Sequence, residues 1–284
     1  MKVVSILSAA AFVLSSVESF SPRSLFTSTK SLMLQANALN TVSDLASLKT
    51  LAKQLNPVVG YFDPLKLAEA EFWPNGDVLA EQSLFTPQQG VSVNERTISW
   101  LRHAEIKHGR IAMFAFVGWC VQSNFHVPWS ITLDGSNPSF AAGLSPPEQW
   151  DALPEFAKYQ IITVIGFLEF WGEGGGNSFD CDLKTPHYTL KEGLPGQYPP
   201  FHAFSETVHP VPFNLYDPFN FSAKMSEEKA AKGLRAEINN GRLAMIGIFG
   251  FVAESKLAGS VPLLDGLVKH YDGNFMAPFM HGIY

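Results

Sequence analysis

The sequence predicts an all-α membrane protein of three transmembrane helices, the first and third crossed as a pseudo-twofold pair. Three observations lead to that class. A helix-forming segment occurs twice. Charged residues make up 16% of the 284-residue chain, against about 25% in ordinary globular domains. No alternating strand run of any length is present. Composition also excludes whole classes. An apolar content of 46% with a net charge of -6 rules out intrinsic disorder. Twenty Lys and Arg against 26 Asp and Glu leave no basic surplus, so nucleic acid is not expected as a partner. The two cysteines, Cys120 and Cys181, build neither a disulfide framework nor a Cys-based zinc site.

Residues 1–40 read as an address. Lys2 gives a positive start, Val3 to Leu14 is an apolar core, and Ser15, Ser16 and Ser19 follow, the layout of a signal peptide over residues 1–19. From Phe20 the chain is rich in Ser and Thr, carries Arg23 and Lys30, and has no acid until Asp44. That is transit-peptide composition, over residues 20–40. The junction resembles the two-part presequence of plastids enclosed by extra membranes. A secreted protein with a polar leader is the alternative, and the missing disulfide pattern weakens it. Residues 41–284 are read as one domain.

The first and third helices are copies. Ala104 to Gly118 reads AEIKHGRIAMFAFVG and Ala236 to Gly250 reads AEINNGRLAMIGIFG, an offset of 132 residues with eight of fifteen positions identical. The flanks match as well, YFDPL at Tyr61 before the first copy and LYDPF at Leu215 before the second. Both copies are good helix formers without an internal proline. The middle helix covers Phe156 to Trp171, starting after Pro154 and stopping at Gly172, Gly174, Gly175 and Gly176. That glycine cluster follows a helix and lacks a Lys-Ser or Lys-Thr, so it is not a phosphate loop. Residues 126–153 and 179–221 read as ordered, irregular connections. Uninterrupted apolar runs of about a dozen residues argue for core helices, whereas Glu105 to Gln122, at ~27 Å, approaches bilayer thickness. Such spans carry ionisable groups that need partners.

The repeat supplies those partners. Glu105 precedes Arg110, and Glu237 precedes Arg242, by five positions, which turns the helix by about 500° and prevents easy bridging within one helix. Across a symmetric crossing, Glu105 meets Arg242 and Glu237 meets Arg110. Gly109, Ala112, Ala115 and Gly118, with Gly241, Ala244, Gly247 and Gly250, let the backbones approach. A soluble helix hairpin with surface salt bridges is the alternative. His108 and its counterpart Asn240 lie three residues after the glutamates, on nearly the same face, and each offers a neutral lone pair. Magnesium held in a tetrapyrrole ring, which needs one axial N or O donor, would accept all four groups.

The repeated E-x-x-[HN]-x-R followed by A-M resembles the light-harvesting chlorophyll-binding family, from about Tyr61 to the C-terminus. The resemblance implies three membrane helices and a short C-terminal amphipathic helix. It implies Glu105, His108, Glu237 and Asn240 as axial magnesium ligands, with Arg110 and Arg242 as cross-helix partners. It extends the pigment-binding set to Glu169 in IGFLEFW, with Gln160 a further candidate, to His270 in GLVKHYDG, and to Glu254, where the family commonly has Gln. The turns Asp63-Pro64 and Asp217-Pro218 resemble loops that cap two crossed carotenoids. With the presequence, the resemblance is to the red-lineage branch: chlorophyll a with chlorophyll c, and fucoxanthin- or peridinin-type carotenoids, in the thylakoid membrane of a complex plastid. HPVPFNLYDPFNF looks like photosystem I-associated antennae. The implied partners are a photosystem core, other antenna subunits and thylakoid lipids.

The implied work is that of a pigment scaffold that passes excitation energy to a photosystem, with no substrate bond made. A photoprotective quencher of the same fold is one alternative. A di-iron carboxylate enzyme is another, with Glu105 and His108 as one Glu-x-x-His motif and Glu169 and Glu254 as further carboxylates. Asn240 in place of His, and cationic Arg110 and Arg242, count against it. His103, His126, His187, His202, His209 and His281 lack repeat counterparts or metal spacing and are expected in loop or surface roles. Cys120 is expected as apolar packing. Trp119, Trp129 and Trp171 suit an interfacial belt. Arg96, Arg102 and Lys107, with Lys224, Lys229, Lys232 and Arg235, put positive charge at the starts of helices one and three, on one side.

Overall fold

The computed structural model describes residues 44–70, 92–126, 128–132, 135, 139–175, 187–189, 193–198, 226–277 and 279. The presequence, the second Asp-Pro turn at Asp217, Cys181, Lys224, His202, His209 and His281 lie outside the described residues. Within them are five α-helices and no strand: α1 (Leu45–Leu55), α2 (Val93–Gln122), α3 (Pro146–Ala152), α4 (Glu155–Phe170) and α5 (Glu227–Lys256). A 3-10 turn lies at Leu67–Glu69, and a π-helical turn at Trp171–Gly175 continues α4.

Local chemistry explains where these helices start. Asp44 and Ser47 exchange bonds at α1, the Ser47 amide donating to Asp44 Oδ1 at 2.8 Å. Ser92 and Glu95 do the same at α2. Ser145 and Glu148 do so at α3, where Pro146 and Pro147 fill the first turn. The sequence reading missed α1 and placed α3 in an irregular connection, although S-P-P-E is a helix-start signature. Both repeat copies are helical throughout, in helices of 30 residues, about 45 Å long. α4 begins after Pro154 as expected. The π turn that follows contains Gly172, Gly174 and Gly175 of its glycine cluster.

The described chain divides into two compact units. One contains residues 44–109 and 166–240. There α1 closes over the first halves of α2 and α5, burying Leu51, Leu55, Ala68, Ile98 and Ile238, with Leu45, Leu48 and Leu234 against them. The starts of α2 and α5 therefore share one unit, and Arg96, Arg102, Lys229, Lys232 and Arg235 share it with them. The YFDPL turn is fixed here too. Asp63 accepts from the Leu67 and Ala68 amides at 3.0 and 2.9 Å and from the Tyr61 hydroxyl at 3.0 Å. The Ala68 amide above all holds the Asp63 carboxyl below its ordinary range, and burial first pushes the Tyr61 phenol up to about 12. Asn94 Nδ2 then donates to the Ala68 carbonyl at 2.7 Å, tying this turn to α2.

The other unit contains residues 110–165 and 241–279 among those described. Phe251 stacks on Phe116 at 5.0 Å and on Trp119 at 5.7 Å between ring centroids. Trp119 and Phe251 occupy equivalent positions of the repeat, 132 residues apart, so equivalent faces pack on each other. A Cβ added at Gly247 would sit 2.8 Å from the Phe116 ring, which shows how closely the helices approach. Trp119 also meets Phe275, and Trp129 alone of the three belt candidates is exposed. The expected C-terminal amphipathic helix is instead a series of turns over residues 262–267, with Leu264 and Leu267 amides reaching back three residues. Pro262 donates no amide, and Gly266 at φ +70° breaks the helical path.

Polarity in these helices is turned inside out. On α4 the buried side chain is Lys158, 1% exposed, whose ammonium donates to the Asp151 carbonyl at 3.3 Å. Its apolar side chains face outward, led by Phe156 at 74%. Repeat-equivalent stripes do the same: Phe114 and Val117 on α2, Ile246 and Phe249 on α5. A chain facing water would bury such a stripe. Even so, no helix among the described residues is long and apolar enough to cross a membrane. The expected three spans meet a physical obstacle here: α4 has 16 residues, and Ala104 to Val121 of α2 includes Glu105, Lys107 and Arg110. Crossing therefore depends on how those charges are compensated.

Gly118 and Gly247 give a matched pair of tests. An alanine at Gly118 meets nothing within 4 Å and should stabilise by up to about 1 kcal/mol through helix propensity. The same change at Gly247 should destabilise by about 1–3 kcal/mol through overpacking against Phe116. Thermal unfolding of the two variants, which should shift in opposite directions, checks this.

Candidate functional site

His108 is exposed on α2, and its ring orientation is set by its own helix. Nδ1 lies 2.7 Å from the Ala104 carbonyl. A carbonyl only accepts, so the proton sits on Nδ1 and the lone pair on Nε2. Fixing one ring nitrogen to free the other is how proteins prepare an imidazole for a metal. This donor fits magnesium held in a ring, whose large planar frame needs an exposed, single axial atom. Glu105, one turn earlier, is bridged by Arg102 on the same helix. Arg102 is buried, and its counterpart in the second copy is Leu234, so the copies are not chemically equal. Asn240 is half-buried on α5, at the position matching His108.

Glu169 joins α4 to α2. Lys107 Nζ lies 2.5 Å from Glu169 Oε2 and 2.8 Å from Glu173 Oε1. Glu173, on the π turn, is the hub of a polar cluster that the sequence reading did not foresee. The Tyr188 hydroxyl donates to its Oε2 at 2.9 Å, and His187 Nε2 lies 3.3 Å from the same oxygen. His103 Nε2 lies 3.3 Å from Oε1, too far off line for a well-formed hydrogen bond. The Gly196 amide donates to His103 Nδ1 at 3.1 Å, so the imidazole proton is on Nε2, facing Glu173. Tyr188 stacks on the His103 ring at 4.0 Å. The His103 contact first, then His187, holds the Glu173 carboxyl far below its ordinary range.

These positions correct the expectation for His103, which is buried on α2 at the centre of the cluster rather than in a loop or on the surface, while His187 keeps its loop place and closes the cluster from there. Nothing in a periodicity or a motif signals contacts that reach from residue 103 to 173 and 196. His126 does keep a peripheral role at the end of α2, against Gln149.

The remaining predicted donors stand apart. Gln160 is exposed on α4. His270 Nε2 donates to Asp272 Oδ1 at 2.7 Å, which leaves its lone pair on Nδ1, close to the backbone. Glu254 is buried and ties down the following turn, accepting from the Gly259 and Val261 amides at 2.8 Å and from Ser260 Oγ at 3.3 Å. Both of its oxygens are engaged there. Among the described residues, no three His, Cys, Asp or Glu side chains group to hold a bare metal ion, as the di-iron alternative required of Glu105, Glu169 and Glu254.

Residues 47–256 match the profile of the family described as Chlorophyll A-B binding protein. The chain is 28% identical over 234 residues to a fucoxanthin-chlorophyll a-c binding protein of Trieres chinensis, an alignment covering 81% of this chain and 89% of that one. It is 28% identical over 185 residues to one of Chattonella marina var. antiqua, covering 65% and 67%. To fucoxanthin-chlorophyll a-c binding protein A of Macrocystis pyrifera it is 30% identical over 168 residues, covering 59% and 64%.

The Glu173 cluster has a pH signature. A carboxyl depressed on folding adds stability above its ordinary value of 4.5, and that contribution drains away as the pH falls toward the folded value. Wild type should therefore exceed Glu173→Gln in thermal stability at neutral pH, and the gap should narrow steadily under acid. A gap independent of pH would show that Glu173 carries no such charge.

Proposed function

The chain belongs to the chlorophyll a-b binding protein family as a light-harvesting antenna of the fucoxanthin type, not an enzyme, and from this premise we propose how its residues do that work. α2, α4 and α5 span the thylakoid membrane of a complex red-lineage plastid, delivered there by residues 1–40. Glu105 pairs with Arg242 and Glu237 with Arg110 across the crossing of α2 and α5, so four ionisable groups enter the bilayer as two neutral pairs. Each glutamate would keep an oxygen with which to hold a chlorophyll. His108, Asn240 and Glu169 supply further donors, with Gln160 and His270 as outer candidates. Glu254 is left out of this set because the turn at residues 259–261 uses its oxygens.

Chlorophyll, when bound, supplies the absorption of light and the passage of excitation energy. The protein supplies fixed donors, fixed spacing and an apolar surround. The outward stripes of Phe114, Val117, Ile246 and Phe249 are the surfaces for pigment and lipid. Chlorophyll a with chlorophyll c and a fucoxanthin-type carotenoid are the pigments, the relatives' names favouring fucoxanthin over peridinin. The partners are a photosystem core, with photosystem I favoured by the segment HPVPFNLYDPFNF, and neighbouring antenna subunits.

The observation that carries this reading is His108, an exposed imidazole whose proton is fixed on Nδ1 by the Ala104 carbonyl. His108→Leu should remove a single chlorophyll from the isolated complex and leave its folding unchanged. A full chlorophyll complement would return His108 to a surface role. The pairing is tested best at Glu237, because the second copy has Leu234 where the first has Arg102. Glu237→Ala should lose a chlorophyll and lower the unfolding temperature. Glu237→Arg with Arg110→Glu should restore the temperature without the pigment. Full stability in the single variant would contradict the pairing.

A further inference from the structure

We propose that Lys107 is a positioning residue for the pigment site on α4, holding one oxygen of Glu169 so that the other serves as the axial donor. This rests on the reading of Glu169 as a ligand and adds what makes that ligand usable.

Glu169 and Glu173 lie one turn apart on the same face, where like charges repel. Lys107 stands between them, at 2.5 Å from Glu169 Oε2 and 2.8 Å from Glu173 Oε1. Glu173 is in turn gripped by Tyr188, His187 and His103. The cluster thus fixes Glu173, Glu173 fixes the ammonium, and the ammonium fixes Glu169. Glu169 Oε1 has no protein partner among the described residues, and the Glu169 side chain is 54% exposed. An anionic donor brought to an apolar pigment face needs a cation beside it. For α2 and α5 the proposed cation is an arginine of the other copy, with Arg102 also on Glu105. α4 has no copy, so it must borrow one.

The repeat records this need. Lys107 is one of the places where the copies differ, its counterpart being Asn239. Asn239 donates to the Leu55 carbonyl at 3.3 Å and closes the end of α1. Two copies meet a single middle helix, and the copy that meets its carboxylates carries the lysine.

The test uses the full chain assembled with its pigments, reading chlorophyll per chain, pigment circular dichroism and unfolding temperature. Lys107→Met should bind a single chlorophyll fewer, and Lys107→Arg should keep the full number. Lys107→Met with Glu169→Gln should regain it with a shifted absorption band, because a neutral amide oxygen needs no cation. Should Lys107→Met alone fail to assemble, the double variant decides: the full number supports the proposal and a deficit overturns it. Loss in Glu169→Ala with no loss in Lys107→Met overturns the role of Lys107 and leaves Glu169 a ligand. No loss in Glu169→Ala overturns the ligand reading itself, and the proposal with it.

Discussion

Charge placed in the middle of apolar helices is the constraint on which this molecule turns. α2 and α5 carry an acid and a base five positions apart, deep in segments whose outer faces are Phe, Val and Ile. Without compensation such groups would keep these helices out of a bilayer. Under the proposed pairing, the same groups become an asset, since each neutralised carboxylate would still have an oxygen to offer. The inward lysine of α4 obeys the same rule: Lys158 is buried and Phe156 exposed. Polarity is held inside, where the protein controls its partners, and apolar side chains are left outside.

The repeat made the largest features legible. It located both long helices and the meeting of equivalent faces seen in Trp119 and Phe251. The start of α4 after Pro154 was readable from a local signal. What escaped was decided by long-range contacts. Arg102 bridges Glu105, yet the second copy has Leu234 there, so no symmetric pattern points to it. His103, Glu173, His187 and Tyr188 converge from two helices and a loop, with separations no helical period encodes. α1 and α3 differ in kind: their capping boxes are present in the sequence, but they lie outside the repeat.

Departures from symmetry are where the copies acquire separate tasks. His108 and Asn240 offer different lone pairs at matching places. Lys107 serves the middle helix while Asn239 serves α1. Glu254 anchors the turn that follows α5, and the turn itself avoids regular helix because Pro262 and Gly266 interrupt it. A duplicated helix pair supplies the frame, and each substitution between the copies fits one side of that frame to a neighbour the other side lacks.

The most direct measurement is a density map of the pigment-loaded chain at the crossing of the repeats. The account predicts the Glu237 carboxylate within about 3 Å of the Arg110 guanidinium, with its second oxygen toward a chlorophyll magnesium. A Glu237 side chain turned to lipid or water, with Arg110 paired elsewhere, would contradict it.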